Sequence, residues 1–307
     1  MGRTVFKSIL KNILKVLPFV AFAYVIYRIA SMDVDWKQIL NSSSVLLALL
    51  FILVFYFFSV LFTAFNYVYA LSKISGARVP FKKIVSVYLE SNLFKYLPGN
   101  VLHYVGRNTL GAGYNIPHKD IAFTSLFEAA GNVFFITLIS SILGFSYIIR
   151  LVNLLREKSI LWFFILISAI VLGITLFILG FLFSSRFRSL IKRLFKKETI
   201  SIWFISALVF LLNYIINGFS FFLILSALYE PLKGNDLFLI LIAYNIAWLA
   251  GFITPGAPGG IGIKEFVLLF ILGTVVSEEP LMLSILLHRF GLIMADLLAY
   301  FGRKIFL

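Results

Sequence analysis

Long apolar stretches separated by short charged loops dominate the chain. They cover residues 13–31, 44–72, 121–149, 159–183, 201–229, 237–254 and 281–301, with a shorter stretch at 263–276. A helix needs about 20 apolar residues to cross the hydrocarbon core of a bilayer. The pattern therefore predicts an all-α, polytopic membrane helix bundle. The loops between the stretches are too short for a soluble domain, so residues 1–307 read as a single transmembrane domain.

Two regions interrupt the pattern. Between Pro80 and Pro117, the residues Phe81, Ile84, Val85, Tyr88 and Leu89 recur at helical spacing, while Lys83, Ser86 and Glu90 mark another face. This half-amphipathic helix runs into Leu97-Pro98-Gly99-Asn100, where proline removes a backbone donor and glycine favours a break. A second piece, Val101–Asn115, carries Gly106, Gly111 and Gly113. Each piece is short for a crossing, which predicts a re-entrant hairpin with its tip at Pro98-Gly99.

The second interruption is stronger. The stretch Asn235–Ile253 is followed by Thr254-Pro255-Gly256-Ala257-Pro258-Gly259-Gly260-Ile261-Gly262, with two prolines and four glycines in nine residues. No helix continues through that run. In hydrocarbon, the freed backbone groups must be satisfied by protein or by a wet cavity, so a polar interior is expected. Pro98 is followed nine residues later by Arg107, and Pro255 nine residues later by Lys264. Matching broken segments of opposite orientation are the sequence pointer to an inverted repeat with its site where the breaks meet.

Composition supports the membrane assignment. Hydrophobic types make up 61% and charged types 13% of the chain, and Phe alone contributes 35 residues. A soluble domain is nearer half apolar and a quarter charged. An ordinary soluble enzyme and a disordered chain are both excluded. With 27 Lys and Arg against 13 Asp and Glu, the net charge is +14. Such a surplus would normally raise nucleic acid as a partner, but the position of the charges argues for topology instead. Basic residues cluster at positions 3–15, 73–83, 186–197 and 303–304, and the alternate loops are acidic. Both termini are therefore expected on the cytoplasmic side. The first hairpin would enter from the cytoplasm and the second from outside. The stretch 13–31 is long for a signal peptide and lacks a clear cleavage site, so a retained anchor is expected. The run Ser184–Lys197 reads as an inner-loop topology signal, with a nucleic-acid or anionic-lipid patch as the other reading. The absence of cysteine excludes disulfides, thiolate metal sites and cysteine nucleophiles.

Ionisable residues inside spans are costly, and they are either paired or functional. Glu128, Arg289 and Asp296 lie in long apolar stretches. Arg289 and Asp296 are seven apart on one helix face, where they can serve as a packing pair or share partners. Arg107, on the same face as His103 and Asn100, and Lys264 with Glu265 flank the broken helices. Asn213, Asn217 and Asn245 read as interhelical hydrogen-bonding groups. Unpaired N–H groups at helix starts, with Arg107 and Lys264 nearby, suit a phosphate. In a greasy bundle that means a phospholipid or polyprenyl-phosphate head group. Candidate ligands are Arg107, Lys264, Glu265, Glu128, Asn100, His103, Arg289 and Asp296. Pro98, Gly99, Pro255, Gly256, Pro258, Gly259 and Gly260 form the breaks. His103, His118 and His288 lack metal-ligand spacing, and there is no P-loop, no dinucleotide fingerprint and no catalytic motif. No metal, cofactor or nucleic-acid partner is expected.

The run Pro255-Gly256-Ala257-Pro258-Gly259-Gly260-Ile261-Gly262-Ile263-Lys264-Glu265 resembles the PGGIGxRE-type signature of one membrane family. This is the flippase-like transmembrane domain of lysylphosphatidylglycerol synthases (multiple peptide resistance factor) and its stand-alone relatives. Leu97-Pro98-Gly99-Asn100 followed by Gly106-Arg107 resembles that family's other break, and Glu128 fits its polar span position. The likeness extends over nearly the whole chain. Lys264 stands where Arg is common, which keeps the charge but loses bidentate geometry. The resemblance implies lipid handling without the synthase activity, which resides in a separate domain of the full-length relatives.

Three readings follow. The leading one is a lipid translocase, flippase- or scramblase-like, at the cell membrane. The second is a non-catalytic membrane partner of a lipid- or glycan-modifying enzyme; the partners expected are membrane lipid and either such an enzyme or further copies of the chain. The third is an intramembrane transferase with Glu128 as the unpaired candidate base.

Overall fold

The computed structural model describes residues 36–76, 78–96, 101–144, 197–229, 236–254, 258–273 and 275–306, with Tyr27 and Leu232. The stretch expected at 13–31 (Tyr27 apart), that at 159–183 and the basic run 184–196 lie outside the described residues. So do Pro98, Gly99, Asn100, Pro255 and Gly256.

The described residues are helical, with no strand among them. The helices are α1 (Trp36–Asn41), α2 (Ser43–Ser75), α3 (Phe81–Asn92), α4 (Leu102–Ala112), α5 (His118–Leu143), α6 (Lys197–Leu228), α7 (Asp236–Ile253), α8 (Ile263–Leu272) and α9 (Glu278–Phe306). Short 3-10 turns, Leu93–Tyr96 and Pro258–Gly260, stand at the two breaks. Helices α2, α5, α6, α7 and α9 are long and apolar enough to span a membrane. This is a multi-pass membrane protein. Its polarity is the reverse of a soluble domain's. Phe58, Phe62, Phe134, Phe204, Phe266 and Phe301 face outward, while Arg107, Glu128, Glu265 and Asp296 are buried.

Helices α2 and α6 form the central seam and run antiparallel. Phe51 meets Phe219, Ser59 Oγ donates to Asn213 Oδ1 at 2.5 Å, and Ser206 Oγ donates to Asn66 Oδ1 at 3.1 Å. Further along, Tyr69 lies beside Ser201. Asn213 also donates to Thr63 Oγ1 at 2.9 Å, the interhelical role expected of it. Asn245 is another such link, donating to the carbonyl of Tyr214 on α6.

Each interruption joins two helices that pack back on each other. Across α3 and α4, Phe94 meets Gly106, Ser91 meets Arg107, and Lys83 lies over the Tyr114 ring. Across α7 and α8, Gly251 meets Gly260 and Tyr244 meets Lys264. Gly259, Gly260 and Gly262 take φ of 56°, 74° and 85°, the left-handed region where a Cβ is strained. A Cβ on Gly251 would stand 2.9 Å from the Gly260 Cα. Gly251→Val is therefore expected to destabilise the fold by about 1–3 kcal/mol, the usual cost of overpacking, read as an earlier thermal unfolding midpoint in detergent. The two 3-10 turns touch: the backbone of Gly259 lies against the Tyr96 ring and the Lys95 carbonyl.

Candidate functional site

A polar cavity with room for about 220 Å³ lies where the two breaks meet. Its walls come from α2, α3–α4, α5, α6, α7–α8 and α9. Four cations and three carboxylates stand at or beside it, and their pairing gives the site its character.

Arg107 on α4 is buried, with 1% of its surface exposed. Its Nη1 donates to Glu128 Oε2 on α5 at 2.5 Å. The guanidinium lies 3.8 Å from the Tyr88 ring centroid and 4.5 Å from that of Tyr67. The Tyr88 hydroxyl donates to the other carboxylate oxygen, Glu128 Oε1, at 2.6 Å. Both oxygens of Glu128 are thus engaged. The sequence pointed to an unpaired Glu128 as a candidate base, and the fold corrects this by closing it into an ion pair.

Glu265 opens α8. One oxygen accepts from the Gly262 N–H at 2.6 Å, capping the helix, and the other pairs with Arg289 on α9. Arg289 also reaches the Gly259 carbonyl at 3.3 Å, tying the second 3-10 turn to α9.

Asp296, also on α9, secures the first turn. It accepts from Asn92 Nδ2 at 2.8 Å, Tyr96 Oη at 2.5 Å and Lys95 Nζ at 2.7 Å. Arg289 and Asp296 share a helix, as expected, but they are not a packing pair. Arg289 turns to the second break and Asp296 to the first, because each break presents an opposite charge closer than the other residue. Lys95 was absent from the sequence-derived candidates. A charged residue three positions before Pro98, in an otherwise apolar turn, is the signal that could have found it.

Lys264 is different. Its Nζ donates to the Tyr244 hydroxyl at 2.5 Å and lies 4.1 Å from the centre of that ring. No carboxylate pairs with it among the described residues, and the undescribed residues of the breaks, 97–100 and 255–257, include no acidic side chain. Lys264 also stands on the cavity wall. A partly buried ammonium without a counter-ion is costly, and an anion in the cavity would relieve that cost.

His103 lines the same cavity. Its ring is buried against Tyr104, with centroids 3.8 Å apart, and Nδ1 has no partner among the described residues. His288 is engaged instead, bonded to Ser220 at 2.8 Å and set between the rings of Phe221 and Tyr244. His118 lies at the exposed start of α5, beside Asn108. Among the described residues, no three His, Asp or Glu side chains gather as a metal site would need.

The fold and this site define a class: a multi-pass helical membrane protein with a charge-lined cavity between two broken helices. No family model matches the chain, and neither a curated protein nor a solved structure shows significant similarity to it.

Proposed function

We propose that this protein is a lipid translocase, with a cavity that admits an anionic phospholipid or polyprenyl-phosphate head group between two re-entrant hairpins. The observation carrying this reading is Lys264: a cation on the cavity wall with no carboxylate partner among the described residues.

Several features support the architecture this requires. Helices of 10 to 12 residues, as in α3, α4 and α8, rise only about 15–18 Å, half a bilayer core. The first hairpin is built from two such pieces and suits a segment that enters and leaves on one side; in the second only α8 is that short, since α7 has 18 residues. The antiparallel α2–α6 seam is the arrangement that an in-plane pseudo-two-fold demands of equivalent helices. Exchanging α2–α5 with α6–α9 carries each substantial helix contact onto another: α3 against α9 onto α7 against α5, and α2 against α9 onto α6 against α5. The aromatic partners follow the same rule, with Tyr88 on Arg107 and Tyr244 on Lys264. The basic loops favour cytoplasmic termini. The likeness of both breaks to the flippase-like domain of lysylphosphatidylglycerol synthases favours the same function. An intramembrane transferase is less well supported, since its candidate base is bound to Arg107 and Tyr88.

The test is movement of labelled lipid in liposomes containing the purified protein, followed by dithionite quenching. Wild type is expected to expose inner-leaflet label, and Lys264→Gln to slow it about tenfold or more, as loss of a charged hydrogen bond implies. Absence of movement with several phospholipids and polyprenyl-phosphate lipids would overturn the proposal. Undiminished activity in Lys264→Gln would remove Lys264 as the residue that holds the head group, whereas absence of movement in wild type would favour the partner-scaffold reading.

A further inference from the structure

We infer that the cavity selects a head group with one net negative charge, a phosphodiester whose other groups are uncharged, and that Lys264 is the selecting residue. The inference rests on the cavity reading above, but it concerns binding alone and does not require transport.

The first support is the pairing of charges. Lys95, Arg107 and Arg289 each have a carboxylate, namely Asp296, Glu128 and Glu265. Lys264 is left over. Counting the histidines as neutral and Lys264 as protonated, the described site carries one uncompensated positive charge. A phosphodiester brings one negative charge and balances it. A phosphomonoester brings about 1.5–2 negative charges near neutral pH and overshoots, which narrows the two proposed head groups to the phospholipid and disfavours a bare polyprenyl monophosphate. A zwitterionic or cationic head group adds an ammonium that needs a carboxylate, and each of the three is already engaged by a cation. Phosphatidylethanolamine, phosphatidylcholine and aminoacylated lipids are all disfavoured on this ground.

The second support comes from comparing the two hairpins. In the first, Tyr88 lies against Arg107 and its hydroxyl reaches Glu128 on the following span. In the second, Tyr244 lies against Lys264, and the side chain it meets on the following span is His288, with ring centroids 4.9 Å apart. The acid that closes the first arrangement has a histidine in its place in the second. The arginine of one hairpin is neutralised by the span that follows it, and the lysine of the other is left open for a ligand. His103 also lines the cavity, and its Nδ1 is buried without a partner among the described residues.

The experiment is native mass spectrometry of the full chain with phosphatidylglycerol, phosphatidylethanolamine and phosphatidylcholine at equal concentrations. Soluble glycerophosphoglycerol serves as a competitor. Wild type is expected to prefer phosphatidylglycerol by about tenfold or more, the worth of one charged hydrogen bond. Lys264→Gln should abolish that preference. His288→Glu should also abolish it while leaving Lys264 in place, because the new carboxylate would occupy the ammonium as Glu128 occupies Arg107. If His288→Glu does not fold, Lys264→Gln and the charge-keeping Lys264→Arg decide the matter, and the arginine variant should retain the preference. Equal binding of the three lipids by wild type, or an undiminished preference in Lys264→Gln, would overturn the inference. Displacement by equimolar glycerophosphoglycerol would uphold the charge rule but make the ligand a soluble phosphodiester, against the lipid reading. A phosphatidylglycerol preference without lipid movement would sustain this inference and remove the translocase.

Discussion

Glu128→Ala is expected to destabilise the protein by about 3–5 kcal/mol, the cost of stranding one partner of a buried ion pair. The guanidinium of Arg107 is 1% exposed and has Glu128 as its carboxylate. Removing the acid leaves a positive charge with the faces of Tyr67, Tyr88 and Tyr104 and one long hydrogen bond to Ser91 Oγ, and no negative charge among these partners. A desolvated cation–π contact returns about 2 kcal/mol or more, but it does not supply the lost negative charge. The Tyr88 hydroxyl loses its acceptor in the same step. The measurement is thermal unfolding of purified protein in detergent. The double variant Arg107→Met with Glu128→Met should recover much of the loss, since a well-packed apolar pair can replace a buried salt bridge at little cost. A Glu128→Ala protein that melts with wild type would mean that water reaches the guanidinium.

Asp296→Ala is the second large effect, again about 3–5 kcal/mol by the same reasoning. The carboxylate holds Asn92, Lys95 and Tyr96 together, all at the end of the first hairpin's leading limb. Its loss releases three donors at once and unties that turn from α9. Hydrogen exchange should therefore accelerate around residues 93–96 more than in α6, which Asp296 does not contact. Asp296→Asn keeps an acceptor but loses the charge, so it should fall between wild type and Ala. Uniform acceleration across the bundle would argue against a local tether.

Both predictions depend on partner assignments that the linear chain left open. The membrane spans were legible because apolar length is a local property. Stretches at 44–72, 201–229, 237–254 and 281–301 became α2, α6, α7 and α9 with small shifts at their ends. The breaks were equally legible, since proline and consecutive glycines act on the backbone where they stand. The piece expected at 263–276 ends earlier, at Leu272, where Gly273 follows. Phe81, placed on the apolar face of the first limb, is exposed, and Val87 joins the buried face with Ile84, Val85, Tyr88 and Leu89. A lipid-facing phenylalanine and a core-facing one look alike in an apolar pattern.

What the sequence determined by itself is therefore the solvent and the material: an all-helical membrane chain, two interruptions, and a small set of charges beside them. Apolar segment length, helix breakers and the cost of charge in hydrocarbon are properties of short segments, and each can be read without knowing the fold. What only the tertiary structure decided is which charge belongs to which. Asn92 and Tyr96 meet Asp296 across 204 and 200 residues of chain, and Arg107 meets Glu128 across 21. Such meetings are set by how helices pack and not by spacing along the chain. That packing neutralises Lys95, Arg107 and Arg289 and leaves Lys264 on the cavity wall without an acid among the described residues.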